Sequence, residues 1–492
     1  MDEAAAAELV FIPVPGMGHL VSTVEMAKKL IGRDRRLSIT VLIMKMPYEN
    51  SKASSSTQSL LLTAAAEDRL KFVYLPQEDE AAVAALRTKY PGHSVFHLVN
   101  MNKQRVRDYL TTRISTGSSR LAGFVVDMFC TAMMDVAAEF GLPTYVFFTS
   151  PCSFLGLLFH LDTLKRDHNQ DVTEFKDSDT ELAIPVFVNP VPAKVLPSIA
   201  VDPERGSTMC MGMAERLKQT KGIMVNTFEE LESHAVRSLP NDDSVPPIYT
   251  VGPVLRLVKD EEGEEIQIIR WLDEQPPSSV VFLCFGGMGS FEGEQVMEIA
   301  QALEQSGHRF LWSLRQPMPK GKVEMPREFQ DLNQVLPEGF LERTAKIGKV
   351  IGWAPQVAVL SHKAVGGFVS HCGWNSILES LWCGVPVATW PIYGEQQMNA
   401  FQLVRELGLA VEIKLDYKKD FKFDSRKVEL VTAGEIENGI RKLMEDEGSE
   451  GIKQKVKEMS EKSKIAVKKG GLSYNSIGRF IKDVMNNLPS TL

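Results

Sequence analysis

WAPQVAVLSHKAVGGFVSHCGWNSILESLWCGVPVATWPIYGEQ, from Trp353 to Gln396, sets tryptophans, a histidine, Asn-Ser, glutamates, glutamines and glycines in the turns between short apolar runs. Turn ends of that kind are where an α/β protein builds a ligand site, because the regular elements hold loop residues in place. Packing alone does not ask for so many polar and special residues at the mouths of strands.

Outward from that stretch, the second half of the chain alternates strand-like and helix-like segments. VVFLCF (280–285), FLWSLR (310–315), KVIGW (349–353), GGFVS (366–370), PVATW (386–390) and LAVEI (409–413) read as near-continuous apolar strands. Strands of a parallel sheet covered by helices on both faces have this composition. A helix is expected over 292–305, with Val296, Ile299, Ala300 and Leu303 on one face. Two more are expected over Asn375–Cys383 and Gln396–Leu407, each followed by a glycine (Gly384, Gly408) as its stop. Ser473–Met485 reads as a last amphipathic helix.

The first half repeats the pattern. ELVFIPV (8–14), LSITVLIM (37–44), LKFVYLP (70–76), AGFVVD (122–127) and PTYVFF (143–148) read as buried strands. After the first comes PGMGH, then a helix with Leu20, Val24, Ala27 and Ile31 at helical spacing. Residues 45–69 and 163–205 are polar and irregular and read as surface loops. KGIMVNTFEELE (221–232) reads as a strand and a helix start. The segment 241–265, rich in Pro and Asp and then in charge, reads as the domain linker. The class is therefore α/β, with two αβα halves and a cleft expected between them.

The bulk composition agrees with two domains of roughly 200–250 residues each. The 492 residues are 44% hydrophobic and carry a net charge of -8 without a long basic run, so nucleic acid is not an expected partner. The six cysteines (Cys130, Cys152, Cys210, Cys284, Cys372, Cys383) show no CxxC spacing and read as reduced, mostly buried thiols of a cytoplasmic protein. MDEAAAAELVFIPVPG is acidic, and its short apolar part ends in prolines, unlike a secretory signal. No run reaches the roughly 20 apolar residues that span a bilayer, so no stable membrane insertion is expected.

Strand-to-helix turns offer backbone N–H groups and a positive helix end to phosphate. Two are visible, GGMGS (286–290) and HCGWNS (371–376), the second adding His371, Asn375 and Ser376 as side-chain donors. Together they suit a pyrophosphate. Trp353 can stack on a base, Glu379 can accept from ribose hydroxyls, and Glu395-Gln396 suit sugar hydroxyls. Plainer readings stand beside these. Ser376-Ile-Leu-Glu379 spells a capping box, Trp353 and Trp374 read equally as core aromatics, and His371 as a structural histidine. No second ligand pair lies at metal spacing near His371-Cys372, so no metal is expected. Asp177-Ser178-Asp179 has the DxD form but sits in a polar loop with no strand before it, and reads as a solvated acidic turn.

In the first half, PGMGHL (15–20) puts His19 at a helix start, and Asp127 ends a strand that lies beside the first in a doubly wound sheet. Both side chains then reach one crevice, where a His oriented by an Asp is a general base for a hydroxyl. The alternative leaves His19 as a helix residue and Asp127 as a cap. A dinucleotide reading of PGMGHLV fails, because Val21 replaces the last glycine and LSITVLIM runs into Lys45-Met46-Pro47 instead of an acidic residue.

With these residues in place, the chain resembles the plant UDP-dependent glycosyltransferases of secondary metabolism. The resemblance is carried by W-A-P-Q, H-C-G-W-N-S, Glu379, G-V-P, W-P and the closing E-Q, and by VPGMGHL, VVDMFC, VNTFEELE, YTVGP, WLDEQP and GGLSYNS. It implies a GT-B fold, two Rossmann-like domains with parallel sheets facing across a cleft. It implies an acceptor-binding domain at 1–245, a linker at 246–265, a UDP-sugar-binding domain at 266–470 and a C-terminal helix at 471–492 packing back on the first. By the same resemblance His19 is the base and Asp127 its partner. Trp353 stacks on uracil, Ala354 makes a backbone contact, and Gln356 and Glu379 hold ribose. His371, Asn375 and Ser376 hold the diphosphate, with Gly286 and Ser290 in the glycine turn. Thr149, Trp374, Glu395 and Gln396 read the sugar. The closing Gln implies UDP-glucose as donor co-substrate, with no cofactor. Gly18, Met128, Phe129, Phe148, Phe154 and Gly394 fall to the acceptor, a small apolar flavonoid, phenolic or terpenoid molecule. A monomer is expected.

The chain departs from the family pattern in three places. Phe285-Gly286-Gly287 stands where the family commonly has FGS or FGT, whose hydroxyl contacts phosphate. Glu395 replaces a common Asp, and Gly394 a common Ala. Alternatives are the same chemistry with UDP-xylose, UDP-galactose or UDP-glucuronate, and a non-catalytic nucleotide-sugar binder.

Overall fold

The apolar runs become the strands of two parallel sheets in a computed structural model that describes residues 7–45, 60, 61, 64, 67–90, 94–115, 120–239, 244–257, 264–317, 326–419 and 429–488. The strands in chain order are β1 (Ala7–Ile12), β2 (Leu37–Ile43), β3 (Leu70–Tyr74), β4 (Arg120–Asp127), β5 (Thr144–Phe148), β6 (Glu181–Leu182), β7 (Val191–Pro192), β8 (Ile223–Val225) and β9 (Ile248–Thr250). They continue as β10 (Val280–Cys284), β11 (Arg309–Ser313), β12 (Gly348–Ile351), β13 (Val365–Ser370), β14 (Val387–Thr389) and β15 (Ala410–Glu412).

The first sheet has the order β3-β2-β1-β4-β5-β8-β9, and the second β12-β11-β10-β13-β14-β15. All pairings within each are parallel, with Phe11 beside Val125 in the first and Phe282 beside Phe368 in the second. Each order reverses once, between β1 and β4 and between β10 and β13. Ligands of open α/β sheets bind outside the strand ends at such a switch point. The β1, β5 and β10 residues are buried throughout, as strands covered on both faces must be.

The chain divides into two compact units, one of Met1–Val172, Pro203–Arg256 and Ile465–Leu492, the other of Thr173–Asp202 and Leu257–Lys464. Each has its own apolar core. Two expectations need correction. The segment read as linker contains β9, the edge strand of the first sheet, because its Tyr249 and Val251 alternate into that core. The region 163–205 is not one loop. It opens in helix Cys152–His168, and Thr173–Asp202 joins the second unit. There Glu406 accepts from the N–H groups of Val188 (2.8 Å) and Asn189 (2.9 Å), and Phe187 meets Phe401 edge-on at 5.9 Å. Residues 46–59, part of the loop expected at 45–69, lie outside the described residues.

The helices form where the spacing predicts, within a residue or two: Gly293–Ser306, Trp374–Cys383 and Leu472–Asn486. Gly384 closes the second of these in the left-handed region at φ 74°. The expected helix over 396–407 is α-helical only over Gln396–Phe401 and continues as a π turn over Gln402–Glu406. In the last helix Ile477, Phe480, Ile481 and Val484 enter the core of the first unit. Phe480 packs edge-on against Tyr145 (5.2 Å) and Tyr249 (5.4 Å), and Tyr249 donates to Asp483 (2.6 Å).

Candidate functional site

At the switch point of the first unit, helix Met17–Arg33 begins just past β1, after Gly16 at φ 143°. His19 is its third residue. Its Nδ1 lies 2.7 Å from Asp127 Oδ2 and 3.1 Å from Thr149 Oγ1. The His19 side chain is 31% exposed and that of Asp127 is 1% exposed, so the carboxylate sits behind the imidazole. Asp127 Oδ1 meanwhile accepts from the Phe129 N–H (2.9 Å) as cap of the short helix Met128–Met133. Asp127 thus faces His19 with one oxygen and caps the next helix with the other. A carboxylate on Nδ1 fixes the tautomer with the proton there and the lone pair on Nε2, which is the arrangement of a general base. The Phe129 ring stands edge-on to His19 at 5.6 Å and to Phe96 at 5.6 Å, forming a partly exposed apolar wall. Of the residues expected on the acceptor, Gly18 is exposed and Phe129 half-buried, whereas Met128 (2%), Phe148 (0%) and Phe154 (5%) belong to the packed interior. Helix Met128–Met133, strand β5 and helix Cys152–His168 bury them in turn.

In the second unit the turn after β10 and the turn after β13 meet. Gly286 has φ 71°, and a Cβ there would lie 2.5 Å from His371 Nε2; a Cβ on Gly373 would also lie 2.5 Å from that atom. Only glycines let both backbones approach the ring so closely. His371 is 6% exposed, and burial lowers its pKa to about 4, so the imidazole is neutral. Its Nδ1 has no hydrogen-bond partner among the described residues. Cys372 takes the left-handed conformation at φ 62°, which starts helix Trp374–Cys383 with Gly373 as N-cap.

The capping-box reading of Ser376 and Glu379 is overturned. The helix starts one turn earlier, no side chain caps it, and both residues instead accept from one amide. Gln356 Nε2 donates to Ser376 Oγ (2.8 Å) and to Glu379 Oε2 (2.7 Å). Burial raises the Glu379 carboxyl to about 7, partly offset by that hydrogen bond. Trp353, two residues past β12, is 47% exposed, whereas Trp374 is 3% exposed and packed inside. Ala354 is buried beside it, and Asn375 and Glu395 stand half-buried. Gln396 is turned inward, its Oε1 accepting from the N–H groups of Ile392 (2.9 Å) and Tyr393 (3.0 Å). Gly394 is exposed at φ 69°. Ser290 is buried, and its carbonyl accepts from Lys419 (2.8 Å). Asp179 of the DxD sequence is exposed and pairs with Lys194 at 2.5 Å.

One residue was not anticipated. Arg315 ends the run FLWSLR, 6% exposed, with its guanidinium 5.1 Å from the Trp353 ring centroid. Its one signal in the sequence is a cation closing an otherwise apolar strand.

Residues 261–425 match the family model described as UDP-glucoronosyl and UDP-glucosyl transferase. UDP-glycosyltransferase 71E1 of Stevia rebaudiana is 54% identical over 488 residues, covering 98% of this chain and 99% of that protein. UDP-glucose flavonoid 3-O-glucosyltransferase 6 of Fragaria ananassa is 51% identical over 493 residues, with 98% and 99% covered. Among solved structures, Medicago truncatula UGT71G1 complexed with UDP-glucose superposes with a TM-score of 0.84 at 42% identity, over 97% of this chain and 98% of that one. A transferase from Siraitia grosvenorii in complex with UDP gives 0.84 at 45% identity, over 97% and 100%.

Proposed function

The chain belongs to the plant UDP-glycosyltransferases, and from that membership we propose that it moves glucose from UDP-glucose to a hydroxyl of a small apolar acceptor of flavonoid, phenolic or terpenoid type. The observation that carries the catalytic part is the His19–Asp127 contact of 2.7 Å at the switch point of the first sheet. His19 Nε2 takes the acceptor proton as the oxygen attacks the anomeric carbon. Asp127 holds the imidazole in the required tautomer and stabilises the imidazolium that forms. Displacement is direct, so configuration inverts from α to β.

The second unit holds the donor. Trp353 stacks on the uracil, Gln356 and Glu379 hold the ribose, and Ala354 adds a backbone contact. The turns at 286–290 and 371–376 take the diphosphate, with His371, Asn375, Ser376, Gly286 and Ser290. Thr149, Trp374, Glu395 and Gln396 are assigned to the sugar. Because Trp374 is packed inside, its contribution is from the backbone, at the head of its helix. His371 is neutral, so it meets the developing charge on UDP as a dipole. Gly18, Phe129 and Gly394 line the acceptor side, as do Met128 and Phe148 through the backbone they support. The proposed roles are acceptor binding for the first unit, to which the last helix Leu472–Asn486 returns, and donor binding for the second. A cytoplasmic monomer that needs no metal or cofactor completes the reading.

The test is His19→Ala. Transfer to hydroxyl acceptors is expected to fall by about 10²–10⁴-fold while UDP binding, read by calorimetry, persists. Full transfer activity in that variant would remove His19 as the base. A panel of UDP-sugars against one phenolic acceptor decides the donor, and a product mass screen decides the acceptor.

A further inference from the structure

Arg315 leaves the end of β11 almost wholly buried, and its hydrogen-bond partners are backbone. Its Nη2 donates to the carbonyl of Gly286 (3.2 Å) and to that of Gly287. Among the described residues it makes no ion pair with a carboxylate. A buried guanidinium is costly unless its protons are bonded; here the two carbonyls accept from it, and the Glu328 carboxylate supplies some compensating charge. Burial lowers its pKa from the ordinary value, offset in part by neighbouring groups that include Glu328.

The two carbonyls fix more than themselves. A trans peptide sets its N–H opposite its C=O. Two successive carbonyls turned toward the guanidinium therefore turn the N–H groups of Gly287 and Met288 the other way. Neither N–H donates to an acceptor among the described residues. Successive N–H groups presented together form an anion-binding nest. His371 also abuts this turn, through the close approach of Gly286 to its ring.

We propose that Arg315 is a positioning residue for the donor diphosphate: it holds the Gly286 and Gly287 carbonyls so that the Gly287 and Met288 N–H groups form the diphosphate nest. This rests on the donor reading above. It supplies by backbone what the common Ser or Thr at position 287 supplies by hydroxyl. The guanidinium also packs against Trp353, coupling the base platform to the phosphate turn. The space at Gly287 is open, with nothing within 4 Å of a Cβ there, so a serine fits.

The test compares UDP with uridine, which lacks the diphosphate, by calorimetry on the native chain, Arg315→Lys, Arg315→Met and Arg315→Met/Gly287→Ser. Arg315→Met is expected to lose UDP affinity by about tenfold more than it loses uridine affinity. Arg315→Lys should lose less, and Gly287→Ser should return part of the loss. Should Arg315→Met not fold, hydrogen exchange on the native chain decides. UDP should slow exchange in 286–291, and uridine should not. An unchanged UDP-to-uridine ratio in the variants, or equal exchange with both ligands, overturns the inference alone. A native chain that binds neither ligand overturns the donor reading and this inference with it.

Discussion

Glu379 shows how a residue's setting changes what its type can do. Its carboxyl is raised from 4.5 to about 7, chiefly by burial. In the folded state it holds its proton between those values while the unfolded chain has lost it. Its contribution to stability is therefore fully present below 4.5 and is lost as pH rises through about 7. Ribose hydroxyls donate better to a carboxylate than to a carboxylic acid. Uridine affinity is accordingly expected to rise several-fold from about pH 6 to about pH 8, and Glu379→Gln to flatten that rise. Titration of uridine binding across that range checks both. The sequence offered Glu379 two roles, a ribose acceptor or one half of a capping box with Ser376, and the second fails. S-x-x-E is a local pattern, and the partner that matters, Gln356, comes from another helix. Arg315 escaped for the same reason. Its meaning lies in carbonyls of the turn after β10, far away in sequence. By contrast, His19 and Asp127 were legible, because strand-end position alone brings them together once β1 and β4 are neighbours.

At the scale of elements, the glycines around His371 override local preference. Serine is a good N-cap and glycine a fair one, so Gly373→Ser would be expected from propensity to firm up helix Trp374–Cys383. A Cβ there would meet His371 Nε2 at 2.5 Å. The substitution is therefore expected to destabilise the second unit by about 1–3 kcal/mol, read as a lower urea midpoint. A raised midpoint would show that the ring yields. Strands were the most legible elements, since continuous apolar runs of this length in an α/β alternation have few other uses. The edge strand β9 was missed because three residues between prolines and charges carry no period. The segment 173–202 was missed because its attachment rests on a few side chains, such as Phe187 and the amides that meet Glu406, and on no repeating pattern.

Over the whole molecule, the last helix belongs to the first unit. Phe480, wedged between Tyr145 and Tyr249, is fully buried. Phe480→Ala is expected to lower the stability of that unit by about 3–5 kcal/mol. The first unit's unfolding transition should move to lower urea, while the shift that UDP produces in the second unit's transition is retained. Equal loss from both transitions would mean that the helix serves the two units alike. The placement has a consequence for how the chain is made. Elongation on the ribosome delivers β1 to β9 early, but the Phe480 wedge arrives only after every strand of the second sheet has been made. The half of the protein that is begun first is thus completed last. Until then Tyr145 and Tyr249 wait without the ring that covers them, and a nascent chain halted before residue 472 carries a finished second sheet beside an unsealed first one.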